Sequence, residues 1–273
     1  MAITADYHLH SSFSGDSRAD MEEMIQKAIS LGLKNICFTE HMDLNFPVDD
    51  QNPAGKWEVN VDSYLFDLLK LRNKYIKEIY VAFGLELGLQ PDIVRQNVRV
   101  AKEHDYDFII ASQHLVNGKD PYYPSYFEGR SKENAIKEYF EGIYENIRAY
   151  SNFDVFGHLD YVVRYAPGKD DGYAYETYRE ILDSILKRLI DREKGIELNT
   201  SAIFEGMKEM HPSVEILKRY KELGGEIITI GSDAHQVEHV GRGLDKARDI
   251  LLDCGFEYYT TFDARIPVQH KIF

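Results

Sequence analysis

The sequence lacks a long apolar run: none comes near the length of about 18 residues that a membrane-spanning helix needs. Its only two cysteines, Cys37 and Cys254, are too few for a disulfide framework. The N-terminal segment has neither a charged leader nor an apolar stretch typical of a signal peptide. We therefore expect a protein without membrane contact that works in the reducing cytoplasm.

Basic residues are also scarce, because 32 Lys and Arg stand against 46 Asp and Glu and give a formal net charge of −14. Long nucleic acids and anionic membranes favour a basic surface, so we expect neither as a partner. A small anionic substrate stays possible, since bound metal ions can reverse the charge of a pocket. The sequence does not indicate an oligomeric state.

What the sequence does contain is a series of short apolar runs, most of them separated by helical patterns. The alternation predicts an α/β protein with a parallel sheet, either open or closed into a barrel. The 273 residues suffice for a β/α barrel, and without a linker-like segment we expect one domain over residues 1–273. The seven runs are 5–10, 35–41, 80–86, 107–114, 154–160, 195–200 and 227–233.

His8 and His10 in "ADYHLH" raise the question of function, because side chains two positions apart leave the same face of a strand. They could bind a metal ion or simply face solvent. The other runs favour metal binding, since they too end in imidazoles and acids, and the carboxyl ends of parallel barrel strands meet at one rim. Histidines and carboxylates without cysteine suit Zn²⁺, Mn²⁺ or Fe. These further residues are Glu40, His41, Glu86, His114, His158, Glu197, Asn199, Asp233 and His235.

In this order, "HLHSSFSGD", "TEH", "GLE", "SQH", "GHLD" and "SDAH" resemble the motif series of the PHP (polymerase and histidinol phosphatase) superfamily. "FTEHMD" and "GHLDYVVRY" are most similar to stand-alone histidinol-phosphate phosphatases. The resemblance implies a distorted (β/α)7 TIM-like barrel of the PHP type. It also implies a centre of three divalent metal ions, which the ligand chemistry leaves open between Zn, Mn and Fe.

The resemblance further assigns ligands to the three ions. The first would bind His8, His10, Glu86 and Asp233; the second, bridged by Glu86, would bind His114 and His158; the third would bind His41, His235 and Asp16. Some family members have histidine at the position of Asp16. Arg164 would bind phosphate, and Asp16 or His235 could transfer a proton to the leaving group.

We therefore expect a phosphomonoesterase in which water made acidic by the cations attacks phosphorus in line. The expected reaction converts L-histidinol phosphate to L-histidinol and inorganic phosphate, a step of histidine biosynthesis. One alternative is a PHP phosphoesterase acting on nucleotides, nucleic-acid ends or phosphotyrosine. Another is a metal-binding PHP module without catalysis.

The resemblance weakens after "ELNTS", where Phe204 stands in place of a basic residue and His211-Pro212 in place of Tyr-Pro. Lys208 could substitute for the missing charge, or the second phosphate contact could be absent. Glu197 and Asp160 could orient ligand imidazoles, or they could instead cap helices or bind backbone amides, and Glu40 is similar. The irregular stretch 117–131 is typical of a lid or binding loop, and its tyrosines at 122–127 could stack on an imidazole or simply pack.

Overall fold

The computed structural model describes residues 3–273 and contains seven parallel strands that pair in chain order, β1 to β7. Residues 1 and 2, which begin the segment considered as a leader, lie outside the described residues. The strands span Ala5–Leu9, Asn35–Met42, Tyr80–Gly88, Phe108–Ser112, Val155–Phe156, Gly195–Asn199 and Ile228–Gly231. Nearly every strand residue is buried, as expected for a parallel sheet with helices outside it.

Seven helices, α1 to α7, separate and follow these strands, in agreement with the predicted alternation. They span Met21–Ser30, Val61–Tyr75, Val94–Glu103, Lys132–Ala149, Arg179–Asp191, Val214–Glu222 and Leu244–Asp253. In α1, Met24 and Ala28 are buried on one face, and Asp20 accepts a hydrogen bond from Glu23 N at 3.0 Å, which caps the helix. In the part of the chain that the structure describes, no helix has the length and apolarity needed to cross a bilayer.

The sheet curves into a nearly closed barrel because the ends of β7 and β1 meet. His10 N donates to Ala234 O and Asp233 N donates to His8 O, both at 2.9 Å. Asp6 in β1 reinforces this junction, since its carboxylate accepts from Ser232 N at 2.8 Å. Closure brings the carboxyl ends of all seven strands to one rim.

The fifth strand is shorter than the predicted run 154–160, because it ends at Phe156. His158 has a φ of +21°, so the chain turns out of the sheet there and continues into a 3-10 turn over Tyr161–Arg164. The turn leaves His158 at the rim and not inside a strand.

A C-terminal antiparallel hairpin, β8 (Tyr258–Asp263) with β9 (Ile266–Lys271), was not among the predicted elements. Its turn residue Arg265 contacts the start of the barrel strands, where its guanidinium pairs with Asp154 and its N–H donates to Asp107 O at 2.9 Å. Tyr7 in β1 donates to Phe262 O at 2.9 Å. The hairpin therefore covers the amino ends of the strands and leaves the opposite rim open.

Candidate metal centre

The ends of β1, β3 and β7 bring two imidazoles and two carboxylates together at the open rim. The Nε2 atoms of His8 and His10 each lie 3.4 Å from Glu86 Oε2 and 3.6 Å from Asp233 Oδ1. The two imidazole rings are 5.0 Å apart, in keeping with side chains two positions apart at the end of one strand. The donor atoms of His8, His10 and Asp233 lie within 4.8 Å of one another and can share one cation, and Glu86 Oε2 lies beside both imidazoles.

Glu86 belongs to a second group through its other oxygen. Its Oε1 lies 2.9 Å from His158 Nε2 and 3.3 Å from His114 Nε2, and it accepts a hydrogen bond from Ser112 Oγ at 2.7 Å. A carboxylate that presents one oxygen to each group can bridge two metal ions.

A third group lies at the more exposed edge of the rim. Asp16 Oδ2 is 3.5 Å from His41 Nε2 and 3.1 Å from His235 Nε2, and the His10 ring stacks on both imidazoles with centroids 4.3 Å away. Donor atoms within 4.8 Å of one another form four sets: His8, His10 and Asp233; His8, Glu86 and His158; His41, Glu86 and His114; and His10, His41 and His235. These sets cross the boundaries between the three ions that the resemblance implies.

Several donor atoms of this cluster are buried and have no hydrogen-bond partner, which polar atoms in a protein interior rarely tolerate. Hydrogen bonds on the far side of the rings explain their orientation. His8 Nδ1 donates to Glu197 Oε1 at 2.6 Å and His114 Nδ1 donates to Asp43 Oδ1 at 2.8 Å, and these contacts turn each Nε2 toward the cluster. The residues therefore fit a cationic group. The unpartnered atoms are His8 Nε2, His10 Nε2, His41 Nδ1, Glu86 Oε2, His158 Nδ1 and His235 Nε2.

The electrostatics of the cluster keep its central carboxylate ionised. Burial alone would favour the protonated acid, but the imidazoles of His8, His114 and His41 outweigh burial and hold the pKa of Glu86 well below its usual range. An ionised carboxylate is the form that binds a cation.

Glu197 orients two of the candidate metal-binding histidines, His8 and His158. It accepts from His8 Nδ1 at 2.6 Å through Oε1 and from the backbone N–H of His158 at 2.8 Å through Oε2. Space for it depends on Gly231, where an added Cβ would lie 2.3 Å from both Glu197 Oε1 and His8 Cβ. Of the two interpretations left open by the sequence, Glu197 thus fulfils both, because it holds an imidazole and a backbone amide.

Asp160 contacts a different imidazole, one that is not in the cluster. It accepts from His211 Nδ1 at 2.5 Å and from Ser213 N at 3.0 Å. His211 Nε2 in turn accepts from Arg164 Nε at 3.4 Å, and Arg164 Nη2 donates to Ser201 Oγ at 2.5 Å. Because burial and the nearby guanidinium lower the pKa of His211, its neutral ring can accept from Arg164.

Asp43 and Glu40, which lie close to His41 in the sequence, have different contacts. Asp43, which holds His114, was missed by the sequence analysis, although its spacing of two from His41 in "HMD" could have indicated it. Glu40 accepts from Ser11 N at 3.0 Å and from Ser14 Oγ, and burial raises its pKa to about 7. It therefore anchors the loop after β1 and does not contact an imidazole directly.

A cavity of about 410 Å³ opens over the cluster. Its wall includes aromatic rings on both sides, since Trp57 packs edge-on against His41 at 5.4 Å and Tyr161 against His114 at 5.6 Å. Two arginines, Arg164 and Arg242, add positive charge to the wall. The cavity also contains Asp16, Asp43, Phe46, Glu86, His114, Asp120, His158, Tyr165, Phe204, Glu205, Asp233, His235 and His239.

Two of the possibilities that the sequence left open for this cavity are not found in the described residues. Lys208, proposed as a substitute for a missing basic residue, is 70% exposed in its side chain and pairs with Asp171 at 2.6 Å, away from the lining. The tyrosines of 122–127 do not line the cavity: Tyr122 is exposed, and Tyr126 is buried and donates to Ala135 O at 2.8 Å. The stretch 117–131 contributes Asp120 to the wall instead.

A barrel whose rim collects histidines and carboxylates around a cavity defines a class of metal-binding β/α-barrel proteins. Residues 6–201 match the model of the PHP domain. The chain belongs to the PHP domain family.

Several relatives of this chain are named as histidinol-phosphatases or probable histidinol-phosphatases. It is 33% identical to the histidinol-phosphatase of Lactococcus lactis subsp. lactis (strain IL1403), over 94% of this chain and 93% of that protein. It is 34% identical to a probable histidinol-phosphatase of Clostridium acetobutylicum, over 92% and 94% of the two chains. This chain also resembles the crystal structure of the Lactococcus lactis histidinol phosphate phosphatase complexed with zinc, L-histidinol and phosphate. The two superpose with a TM-score of 0.88 at 31% sequence identity, over 97% of this chain and 98% of that one.

Proposed function

We propose that this protein is a metal-dependent histidinol-phosphate phosphatase, which hydrolyses L-histidinol phosphate to L-histidinol and inorganic phosphate. The observation that carries the proposal is its likeness, over 97% of the chain, to the histidinol phosphate phosphatase crystallised with zinc, L-histidinol and phosphate. A cavity wall formed by imidazoles, carboxylates and arginines supports it from this chain's own residues.

We further propose three divalent cations at the rim, held by His8, His10, Glu86 and Asp233, by Glu86, His114 and His158, and by His41, His235 and Asp16. The unpartnered buried donor atoms support this ligand set. The positive charge of three divalent cations would exceed the negative charge of the three carboxylates among these ligands. The centre would then carry a net positive charge and attract phosphate, although the protein as a whole is acidic. The imidazole and carboxylate donors are compatible with Zn, Mn and Fe alike.

Bound cations of this kind lower the pKa of water and neutralise phosphoryl oxygens, which is the chemistry that phosphomonoester hydrolysis requires. Arg164, a buried residue, would bind phosphoryl oxygens through its guanidinium, which His211 and Ser201 hold in place. Beyond these two contacts, Arg164 Nη1 lies 3.5 Å from Glu205 Oε2, so a phosphate would compete with Glu205 for that group.

Asp16 and His235 are the groups to which we assign proton transfer to the leaving alkoxide. Asp16 Oδ2 and His235 Nε2 lie 3.1 Å apart at the edge of the cavity, where Asp16 keeps 31% of its side chain exposed. The contact between Asp16 and His235 would orient either group toward the leaving alkoxide and let it pass a proton there. Aromatic walls such as Trp57 and Tyr161 offer a surface for the imidazole end of the substrate.

The single-domain organisation over residues 1–273 also stays a proposal. The buried apolar side chains of the barrel and of the C-terminal hairpin form one continuous cluster, which supports it.

The test is a turnover panel of metal-loaded protein with histidinol phosphate, a nucleoside monophosphate, phosphotyrosine and p-nitrophenyl phosphate. We expect histidinol phosphate to give the highest kcat/KM. A kcat/KM for histidinol phosphate no higher than that for p-nitrophenyl phosphate would contradict the substrate assignment. Hydrolysis of none of them would favour a metal-binding module without catalysis.

Two single substitutions test the ligand set in the same assay. His10→Ala and Asp233→Asn should each remove metal, measured by elemental analysis, and turnover, while circular dichroism keeps the signature of the folded barrel. Full turnover and full metal content in both variants would refute the ligand assignment.

A further inference from the structure

Arg242 lines the cavity but has no role in the expectations drawn from the sequence. It lies between β7 and α7, and its guanidinium carbon is 3.5 Å from the centroid of the Phe204 ring. Within residues 3–273, no carboxylate oxygen lies within 4.0 Å of its side-chain nitrogens, whereas Arg164 approaches Glu205 Oε2 at 3.5 Å. Arg242 thus brings to the cavity a positive charge that forms no ion pair with an acidic side chain of the described residues.

The backbone around Arg242 is packed closely against the segment that carries Phe204. Gly243 has a φ of +84°, and a Cβ on it would lie 3.0 Å from Thr200 Cβ and 3.2 Å from Phe204 Cε2. Thr200 Oγ1 donates to Arg242 O at 2.5 Å. Only glycine allows this approach in the left-handed region, so the chain fixes the position from which the Arg242 side chain extends.

Stacking on an aromatic ring leaves the N–H groups at the edge of a guanidinium free. A guanidinium presents these groups in a planar fork that matches the oxygens of a phosphate. Phe204 therefore holds Arg242 in place without using the hydrogen-bond donors that an anion needs.

The same short segment also orients the second arginine of the cavity. Ser201, three residues before Phe204, accepts from Arg164 Nη2 at 2.5 Å. Residues 200–204 thus carry contacts to both guanidinium groups, and both groups line one cavity over the metal cluster. A phosphate monoester dianion has enough oxygens to accept from two arginines while others face the cations.

We propose that Arg242, held on the ring of Phe204, is a second phosphate-binding residue that acts together with Arg164. This inference rests on the proposed phosphatase function and adds a substrate-binding residue to it. Phe204 is a positioning residue in this arrangement, because it acts on the phosphate only through Arg242.

The first experiment measures phosphate affinity without turnover. Inorganic phosphate is titrated calorimetrically into zinc-loaded protein, and the zinc content of every variant is measured beside it. Arg242→Ala should weaken phosphate binding about 10-fold to 100-fold, the range for lost hydrogen bonds to a charged group, with unchanged zinc content. The phosphate affinity of Arg242→Lys should lie between those of the unchanged protein and Arg242→Ala, since an ammonium keeps the charge but lacks the planar fork of donors.

A matched control removes another cation from the same neighbourhood. Lys246 lies on α7 with its Nζ 5.9 Å from the Phe204 centroid, but it is exposed and does not line the cavity. Lys246→Ala should bind phosphate like the unchanged protein. If Arg242→Ala and Arg242→Lys also stay within twofold of it, the inference is wrong.

Variants of Phe204 separate positioning from general packing. Phe204→Leu removes the ring but keeps apolar volume, so phosphate affinity should fall several-fold while zinc content and melting temperature stay unchanged. Phe204→Tyr restores a ring and should restore the affinity. Equal phosphate affinity for both variants would overturn the role of the ring.

Turnover distinguishes a failure of this inference from a failure of the proposed function. If the unchanged protein hydrolyses p-nitrophenyl phosphate but not histidinol phosphate, the substrate assignment fails, while a raised KM for p-nitrophenyl phosphate in Arg242→Ala still supports the inference. If histidinol phosphate is hydrolysed with the same KM by Arg242→Ala, the inference fails and the proposed function stands.

Discussion

The substitution Glu197→Gln tests how far the metal centre depends on a residue that is not itself a proposed ligand. Glu197 serves two donors at once, His8 Nδ1 at 2.6 Å and the backbone N–H of His158 at 2.8 Å. Both contacts are buried, so water cannot replace a lost acceptor. Glutamine has the same shape but only one side-chain oxygen, and whichever donor faces its NH2 group loses its acceptor.

The size of the effect follows from that one unmet hydrogen bond. A buried donor without an acceptor costs about 1–3 kcal/mol. The lost contact is one of the two by which Glu197 holds His8 and His158 near Glu86. The cost should therefore appear mainly as a loss of metal affinity. At about 1.4 kcal/mol per factor of ten, we expect zinc to bind roughly 10-fold to 100-fold more weakly, which is also the usual range for residues that support metal ligands.

The assay is competition for zinc between the protein and a chromophoric chelator at fixed pH. Glu226→Gln serves as the matched control, since Glu226 is an exposed residue that pairs with Lys221 far from the rim. We expect the control to bind zinc like the unchanged protein and Glu197→Gln to release it at lower chelator concentration. Zinc affinity of Glu197→Gln within threefold of the control would refute the argument that this carboxylate orients the ligands.

Three further results are expected. Chelator treatment should abolish turnover and lower the melting temperature, and added zinc or manganese should restore both. The reason is that a ligand at a free concentration of about 1,000 times its Kd stabilises the folded protein by about 4 kcal/mol. His211→Ala should raise KM for the phosphomonoester about tenfold with zinc content unchanged, since Arg164 loses an acceptor that orients it. Arg265→Ala should cost about 2–3 kcal/mol of unfolding free energy, measured by urea denaturation, by leaving Asp154 unpaired, and should not change kcat of the folded enzyme.

The charge distribution explains how an acidic protein can bind a phosphomonoester. The net charge of −14 is spread over the surface, whereas the cavity combines Arg164, Arg242 and a cluster fit for cations. Charges beyond about 8–10 Å are largely screened at physiological salt, so the local set decides what the cavity attracts. The formal charge of the whole chain therefore excludes extended anionic partners but not a small phosphate ester.

Much of the rim could be anticipated, because it depends on local rules. A spacing of two in "HLH" puts His8 and His10 on one face, and the alternation of strands and helices puts strand ends at one rim. Asp20 and Met24 likewise behave in α1 as capping and periodicity require. The structure brings the expected side chains together, while their assignment to individual ions stays a proposal.

The partners of equivalent-looking residues could not be anticipated. Glu197 and Asp160 were alike in the sequence, yet Glu197 holds His8 and Asp160 holds His211, 51 positions further along the chain. Lys208 seemed suited to supply charge to the cavity, but its side chain turns to Asp171 on the surface. Sequence proximity to a motif does not fix the direction in which a loop residue points.

The sequence alone thus determined the element order, the fold class and the residue types at the strand ends, since these follow from periodicities of a few residues. Only the tertiary structure decided that the C-terminal hairpin covers the amino ends of the strands and that Arg242 rests on Phe204, 38 positions before it. Such contacts depend on how loops close between distant segments, and the free energy of that closure is set by packing of the whole chain and not by any local pattern.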